Sequence, residues 1–451
     1  MSAVPDKRAD TSRLAQMCED AVKHCKADQT EVSAFGNESA VTRFAGSQLH
    51  QNNFESDIQI QVRVAVGKRV GQAATNKLDA AVIRQTVDDA VVLARLQDED
   101  PEFADFPDGP QKYSIDVPFV PETADFSPMD RAKACLEAFK VSDSKDFTAA
   151  GTLTNTLVRV VIVNSHGVKA DCATTQAEFS CLFTGPNSSG FATDTVHDVR
   201  KLDYAGLAKR ALDKAKLSAN PSGEVPAGQH TVILEEEAVS NLVMFLNWLG
   251  FGGKTFNDGE SYMCGKIGQQ ITGKNVTIYD DAADPRTFGL PFDFEGVPKQ
   301  RVMLIENGVA KGVVHDQKSA KKVGAKSTGH SLGGWTGATN VVLAPGSATD
   351  AEMLASVKHG ILVSRFHYTN VVEPMSTTIT GMTRDGTFLI EDGKIVKGLK
   401  NFRITQSVLE AFKNAPMMSK TQRFSSIFWG GGCLVPKMKI EGFNFSGKTE
   451  F

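Results

Sequence analysis

DIQIQVRVAVG, residues 57–67, places Ile58, Ile60, Val62, Val64 and Val66 on every second position, with Gln59, Gln61, Arg63 and Ala65 between them. Successive side chains of an extended strand point to opposite faces, so this alternation predicts a strand with one face buried. Gly67-Lys68 then turns the chain into a further strand at 69–74. Ile83, Val87, Ala90, Val91 and Ala94 recur at helical spacing and predict a helix over about 79–96. Upstream, Leu14, Cys18, Ala21, Val22 and Cys25 predict a helix at 11–26, with Asp10 or Thr11 as its cap.

Downstream, six prolines between Pro101 and Pro128 in an acidic context predict an extended surface connection. A helix is expected to start near Met129. VRVVIVNSHGVKADCATTQAEFSCLF, residues 158–183, reads as a hairpin turning at His166-Gly167. Residues 203–217 are expected to be helical. PSGEVPAGQ at 221–229 is rich in proline and glycine and poor in apolar residues. It divides an N-terminal α/β domain, 1–225, from a C-terminal β-rich domain, 226–451. The second part opens with a strand, HTVIL, and a helix, EEEAVSNLVMFLNWL. It continues in short strands, with ENGVAKGVV and IEDGKIVKG as hairpins built on Asn-Gly and Asp-Gly turns. The expected class is α+β: helices on a mixed sheet, then an irregular sandwich or barrel.

The chain has 451 residues, 41% hydrophobic and 23% charged, with a formal net charge of -4. That length suggests more than one domain, and the charge does not suggest a nucleic-acid binder. The seven cysteines are odd in number and widely spaced, with no C-x-x-C pair, and are expected to be buried reduced thiols. Residues 1–13 are polar and no run is long enough to span a bilayer. These features imply a cytoplasmic protein with neither nucleic acid nor membrane as partner.

Three local motifs invite a chemical reading. Gly329-His330-Ser331-Leu332-Gly333 fits G-x-S-x-G, with His359 and His367 downstream. A nucleophile elbow needs a buried strand before it and a helix after it. Here DQKSAKKVGAKST precedes and GWTGATNVVLAPG follows, so a glycine-rich loop with close backbone approach is the better reading. No two of the nine histidines lie three to five residues apart, which removes the usual helical metal pair. GFGGKTFNDGESY lacks the Lys-Ser/Thr ending and the leading strand of a phosphate loop. Glu235-Glu236-Glu237 is accounted for by the positive end of the helix it begins.

The second half resembles the TldD/PmbA family of metallopeptidase-related proteins. The resemblance is carried by GKIGQQITGKNVTIYDDAADP (265–285), PFDFEGVPKQRVMLIENGVAKGVVHDQKSAKKVGAKSTGHSLGG (291–334), TNVVLAPGS (339–347) and TGMTRDGTFLIEDGKI (380–395). The first half agrees more loosely. The resemblance implies an N-terminal α/β domain, a C-terminal β-rich domain and a dimer enclosing a proteolytic chamber. It also implies one of two branches. The catalytic TldD branch holds zinc with His-Glu-x-x-x-His on a helix and a later cysteine; the PmbA (TldE) branch lacks these and acts as the partner subunit. The metal helix corresponds to Asn241–Asn247, where no histidine stands, and the cysteine position corresponds to Arg384. A guanidinium has no lone pair for a metal.

The resemblance therefore implies a PmbA-type subunit of a peptidase or peptide-maturation assembly. It has no catalytic residue, no metal ligand and no cofactor of its own, and zinc is expected only in a TldD-like partner. That partner or a second copy completes the dimer, and an extended peptide is the substrate. His330 and Arg384 are the candidate substrate contacts, beside the plainer readings of His330 as a structural histidine and Arg384 as an ion-pairing surface arginine. Two alternatives stay open: a metallopeptidase with a rearranged site, using His330, His359 or His367, and a peptide-binding regulator without a peptidase partner.

Overall fold

The computed structural model of this chain describes residues 9–142, 145–427 and 431–448, so most of the polar opening stretch lies outside the described residues. The opening strand belongs to a six-stranded antiparallel sheet. Its strands are β1 (Gln29–Ala45), β2 (Gln48–Val66), β3 (Arg69–Thr75), β4 (Thr148–Asn164), β5 (Lys169–Thr184) and β6 (Ser189–Val196), in the spatial order β3-β2-β1-β4-β5-β6. DIQIQVRVAVG is the second half of β2. Ile60, Val62 and Val64 are fully buried, and Ile58 and Val66 partly so. The strand begins at Gln48 rather than Asp57. Its first ten residues are exposed and carry no alternation; pairing with β1, from Gln48↔Ala45 onward, is what extends them.

Four helices cover one face of this sheet: α1 (Ala9–His24), α2 (Ala80–Leu96), α3 (Pro128–Phe139) and α4 (Tyr204–Leu217). α1 starts at Ala9, so Thr11 lies inside its first turn and does not cap it. In α2 the carboxylate of Asp79 accepts from the amides of Ala81 and Val82, and Ser127 and Asp203 cap α3 and α4 in the same way. Such caps satisfy amides that have no partner within the helix. On the opposite face, Val160, Ile162, Ala170 and Cys172 pack against Leu290 and Phe292 of the second half.

The second half is built on an eleven-stranded sheet. Its strands are β7 (Gly228–Leu234), β8 (Ile278–Asp280), β9 (Val302–Glu306), β10 (Val309–Ala310), β11 (Asn340–Leu343), β12 (His359–Glu373), β13 (Thr378–Glu391), β14 (Lys394–Gly398), β15 (Phe402–Ser407), β16 (Met417–Ile427) and β17 (Gly431–Lys448). β7 pairs with β12 on one edge and with β17 on the other, which closes a ring β7-β12-β13-β15-β17. The helix after β7, α5 (Glu236–Leu246), joins the inward residues of that ring in one apolar cluster. The two Asn/Asp-Gly hairpins form as expected, with Asn307-Gly308 and Asp392-Gly393 at positive φ. This is the α+β class.

Ion pairs and hydrogen bonds stitch the halves together. Lys318 pairs with Asp100, and Lys322 with Glu102, so the acidic connection is tied to the short lysine-rich helix at Gln317–Lys322. The ring nitrogens of His197 lie 2.7 and 2.8 Å from the carbonyl oxygens of Thr175 and Thr287. Arg63, on β2, donates to Glu31 of β1 and to Glu295 of the second half. All seven cysteines are unpaired, and burial pushes the thiols of Cys18, Cys135, Cys181 and Cys433 up to about 12. Among the described residues no helix is long and apolar enough to cross a membrane.

Glu295 gives this seam a pH dependence. Burial pushes its carboxyl up from the ordinary 4.5, Arg63 pulls it back, and the charges of Asp293 and Glu31 push it up again, for a net rise. The folded state thus holds a proton that the unfolded chain has released, so this residue's contribution weakens as pH climbs from about 4.5 through the raised folded value. Glu295→Gln, which keeps shape without charge, is expected to flatten that part of the stability profile. Urea unfolding midpoints of both proteins from pH 5 to pH 9 check this, and parallel profiles would refute it.

Candidate functional site

Three places could carry chemistry: the helix α5, the loop of His330, and the strand of Arg384. α5 is apolar nearly all round because the ring encloses it; Ala238, Val239, Leu242, Val243, Phe245 and Leu246 are buried. The stripe left partly open is Glu237, Asn241 and Met244, continued by exposed Trp248. Asn241 donates its side-chain amide to Thr369 at 3.1 Å, while its carbonyl oxygen is buried without a partner. After Leu246 the backbone widens into a π turn, Asn247–Phe251. The Asn247 side chain there both donates to the carbonyl of Ala338 and accepts from its amide. That explains the polar residue interrupting the apolar run. Beside the single carboxylate of Glu237 the stripe offers an amide, a thioether and an indole, and one carboxylate without imidazole or thiolate does not make a zinc site. Among the described residues no group of three or more His, Cys, Asp or Glu stands close enough to hold a metal ion.

Glu235, at the head of the helix, is surrounded by cations that the linear sequence separates. Burial raises its carboxyl, but Lys214 of α4 and Lys437 of β17 outweigh it and hold it at about 2. The triplet is thus more than a complement to the helix end: it anchors α5 to the first half.

His330, a candidate substrate contact by the resemblance, lies in the interior and not on a cleft wall. None of its surface is exposed. Nε2 lies 3.0 Å from Asp280 and Nδ1 lies 2.9 Å from the Thr328 hydroxyl. Burial and the nearby charge of Lys299 keep the imidazole below its usual range, so Nε2–H donates to the Asp280 carboxylate. Asp280 also accepts from the amide of Asn340 on β11. The surrounding loop is no nucleophile elbow: Ser331 bridges to Thr336 across a tight turn, and no helix follows. At Gly329 a Cβ would lie 2.3 Å from the carbonyl oxygen of Pro298, the close approach the glycines predict. His359 and His367 stand on β12, apart from this network.

Arg384 is exposed on β13, where the strand bulges. Arg384 pairs with Arg365 and Thr387 with Val363, so Asp385 and Gly386 together oppose Ser364. Asp385 has φ 54 and Gly386 φ 138, and a Cβ on Gly386 would meet Ser364 Oγ at 2.4 Å. The bulge turns the Asp385 carboxylate inward, where it accepts from Arg365 Nε at 2.8 Å and from Ser189 Oγ of β6 at 2.6 Å. Arg384 is left facing a cleft of about 770 Å³ between the β5–β6 turn and β13. Lys400, which the sequence reading did not single out, lines the same cleft. Its signal was the Asp392-Gly393 hairpin, whose register, continued two places past Phe388↔Gly398, brings Lys400 opposite Gly386.

Known proteins give this geometry its context. Three family models match in order: "PmbA/TldA metallopeptidase domain 1" over residues 30–94, "PmbA/TldA metallopeptidase central domain" over 118–219, and "PmbA/TldA metallopeptidase C-terminal domain" over 227–447. A metalloprotease PmbA homolog of Haemophilus influenzae is 24% identical over 436 residues, covering 90% of this chain and 92% of that protein. A metalloprotease TldD homolog of the same organism is 31% identical over 234 residues, about half of each chain (49% and 46%). The crystal structure of TldE from Thermococcus kodakarensis superposes with a TM-score of 0.87 at 23% identity, covering 96% of this chain and all of that one.

The two candidate residues are expected to behave oppositely on substitution. His330→Ala leaves Asp280 buried without its partner and should cost about 3–5 kcal/mol. Arg384→Gln, on an exposed side chain, should change stability by no more than about 0.5 kcal/mol. Denaturant unfolding of both variants decides; a near-neutral His330→Ala would return that residue to the list of ligand contacts.

Proposed function

This chain belongs to the PmbA/TldD metallopeptidase family, and from that premise we propose that it is the non-catalytic, PmbA/TldE-type subunit of a peptidase or peptide-maturation assembly. The observation that supports this reading is the donor chemistry along α5 and at the β13 bulge. Where the catalytic branch has its imidazoles and thiolate, this chain has Asn241, Met244, Asn247 and, by the sequence correspondence, Arg384. None of these activates water. The chain's task is then to bind and orient peptide, while a TldD-like partner supplies the zinc and the hydrolytic step.

The shape of β13 suits that task. It pairs with β15 as far as Met382 and with β14 from Phe388 onward. Between them the segment 399–402 follows residues 383–387, with Leu399 donating to the Thr387 carbonyl and Phe402 to the Thr383 hydroxyl, and this stretch of β13 borders the cleft. An extended peptide can lie in the cleft beside it, taking side-chain contacts from its walls. The exposed cations hold its acidic groups, and the buried ion pairs between the halves keep the walls in place.

Metal analysis and a peptidase assay test the proposal. The purified chain should contain zinc well below one equivalent and show no chelator-sensitive cleavage of unfolded peptide. Adding a TldD-like partner should produce cleavage that the chelator abolishes. Stoichiometric zinc, or chelator-sensitive activity from this chain alone, would sink the reading.

A further inference from the structure

We infer that the cleft beside the β13 bulge is a carboxylate-binding subsite in which Arg384 and Lys400 hold a carboxylate of the bound peptide. The inference rests on the reading of this chain as a peptide-binding subunit and adds what that peptide must carry.

The first argument is an imbalance of charge. Arg365 and Arg384 are direct cross-strand partners, an arrangement of like charges that is unfavourable unless an anion intervenes. One anion does: Asp385, whose carboxylate takes two donations from Arg365 and one from Ser189. Arg365 also lies over the ring of Phe191, 4.2 Å from its centroid, which fixes it against the first half. Asp385 is thereby committed inward, and among the described residues it is the only acidic one lining the cleft. Arg384 and Lys400 are both exposed there, and neither makes an ion pair among the described residues. The local field is positive enough to be felt by its neighbour. Partial burial, then the charges of Arg384 and Arg365, hold the imidazole of His367 below its ordinary range.

The second argument is geometric. The bulge sets the two arginines apart: at positive φ Asp385 gives its carboxylate to Arg365 and Ser189, while Arg384 stays exposed in the cleft that it and Asp385 line. Bulges that re-aim a side chain in this way are concentrated beside functional sites. The remaining wall is neutral and hydrogen-bonding: Thr184, Asn187 and Ser188 from the β5–β6 turn, with the Ser188 hydroxyl buried and without a partner. A guanidinium fork offers two parallel N–H donors to the two oxygens of a carboxylate, and the ammonium of Lys400 adds charge without fixing orientation. A cleft of about 770 Å³ accommodates a few peptide residues. The carboxylate can come from a peptide C-terminus or from an aspartate or glutamate side chain; the chemistry is shared, and the experiment separates the sources.

The test uses the full chain and one fluorescently labelled pentapeptide of neutral sequence in three forms: free acid, C-terminal amide, and C-terminal amide with a central aspartate. Anisotropy titrations are made at low salt with the wild type, Arg384→Gln and Lys400→Gln, after circular dichroism melting has shown each variant folded. At least one carboxylate form should bind ten-fold or more tighter than the neutral amide. That advantage should vanish in Arg384→Gln and shrink in Lys400→Gln. Preference for the free acid assigns the source to the terminus; preference for the aspartate peptide assigns it to a side chain. Equal binding of all three forms overturns the subsite while leaving peptide binding intact. A preference that survives Arg384→Gln overturns it as well. No binding of any form, alone or with the TldD-like partner present, overturns both the subsite and the peptide-binding reading.

Discussion

β7 is hydrogen-bonded on both edges, to β12 in parallel and to β17 antiparallel, and most of the second half follows from that double pairing. Because β12 and β17 are also joined through β13 and β15, that double pairing closes the path into a ring and leaves β7 no free edge. The chain leaves the strand at Leu234 and must turn at once into α5, which then packs against the ring's inward residues: Val232 and Leu234 of β7, Ile361 and Val363 of β12, Ile440 and Phe443 of β17. A helix so enclosed has to be apolar on almost every side. The charged residues it does carry are pushed to its first turn, where Lys214 and Lys437 hold Glu235 ionised. The stripe left open for chemistry is narrow, and the identity of Asn241, Met244 and Trp248 decides what that helix can do.

Charge is distributed by a consistent rule in the rest of the molecule. Where the two halves meet, Lys214 has Glu235 as its buried partner on the other side, Arg63 reaches from Glu31 to Glu295, and the more exposed Lys318 pairs with Asp100. Breaking one member of such a pair leaves the other desolvated, so these contacts fix the relative position of the halves more than they add net stability. Inside the second half the buried Asp280 carboxylate is likewise partnered, by the neutral imidazole of His330. The cleft beside β13 departs from it. Its single carboxylate is used internally, and its two remaining cations face open space. In a structure that otherwise pairs its interior charges, that departure is informative about what the cleft receives.

The features legible in the sequence were those set by local rules. The alternation through Val62 and Val64 and the Asn307-Gly308 and Asp392-Gly393 turns each depend on residues a few positions apart. The first half of β2 was not legible, because Gln48 to Asp57 carry no pattern and owe their extension to β1. The same limit applies at the site. His330 looked available because it sits among glycines, but Asp280, which encloses it, is supplied from fifty residues away. Arg384 was reached through its correspondence to a ligand position, whereas its exposure and its bulge come from β12 and β14. Lys400 needed the hairpin register carried through a one-residue shift, which no local pattern announces.

The bulge at Asp385-Gly386 connects these strands of argument. A strand position that must reach into a cleft needs a backbone irregularity to aim it, and that need is the same whether the side chain is a thiolate for a metal or a guanidinium for an anion. The irregularity here is held by Ser364, by the positive φ of both residues and by the inward pairing of Asp385 with Arg365 and Ser189. None of those supports depends on what stands at position 384. Exchanging a metal ligand for an arginine at such a point alters the chemistry of the cleft from coordination to charge recognition while the backbone that presents it is unchanged. On the proposed division of labour, a substitution of this kind at position 384 would separate the two roles, because the ring around α5 and the pairing of Asp385 with Arg365 and Ser189 do not involve that side chain.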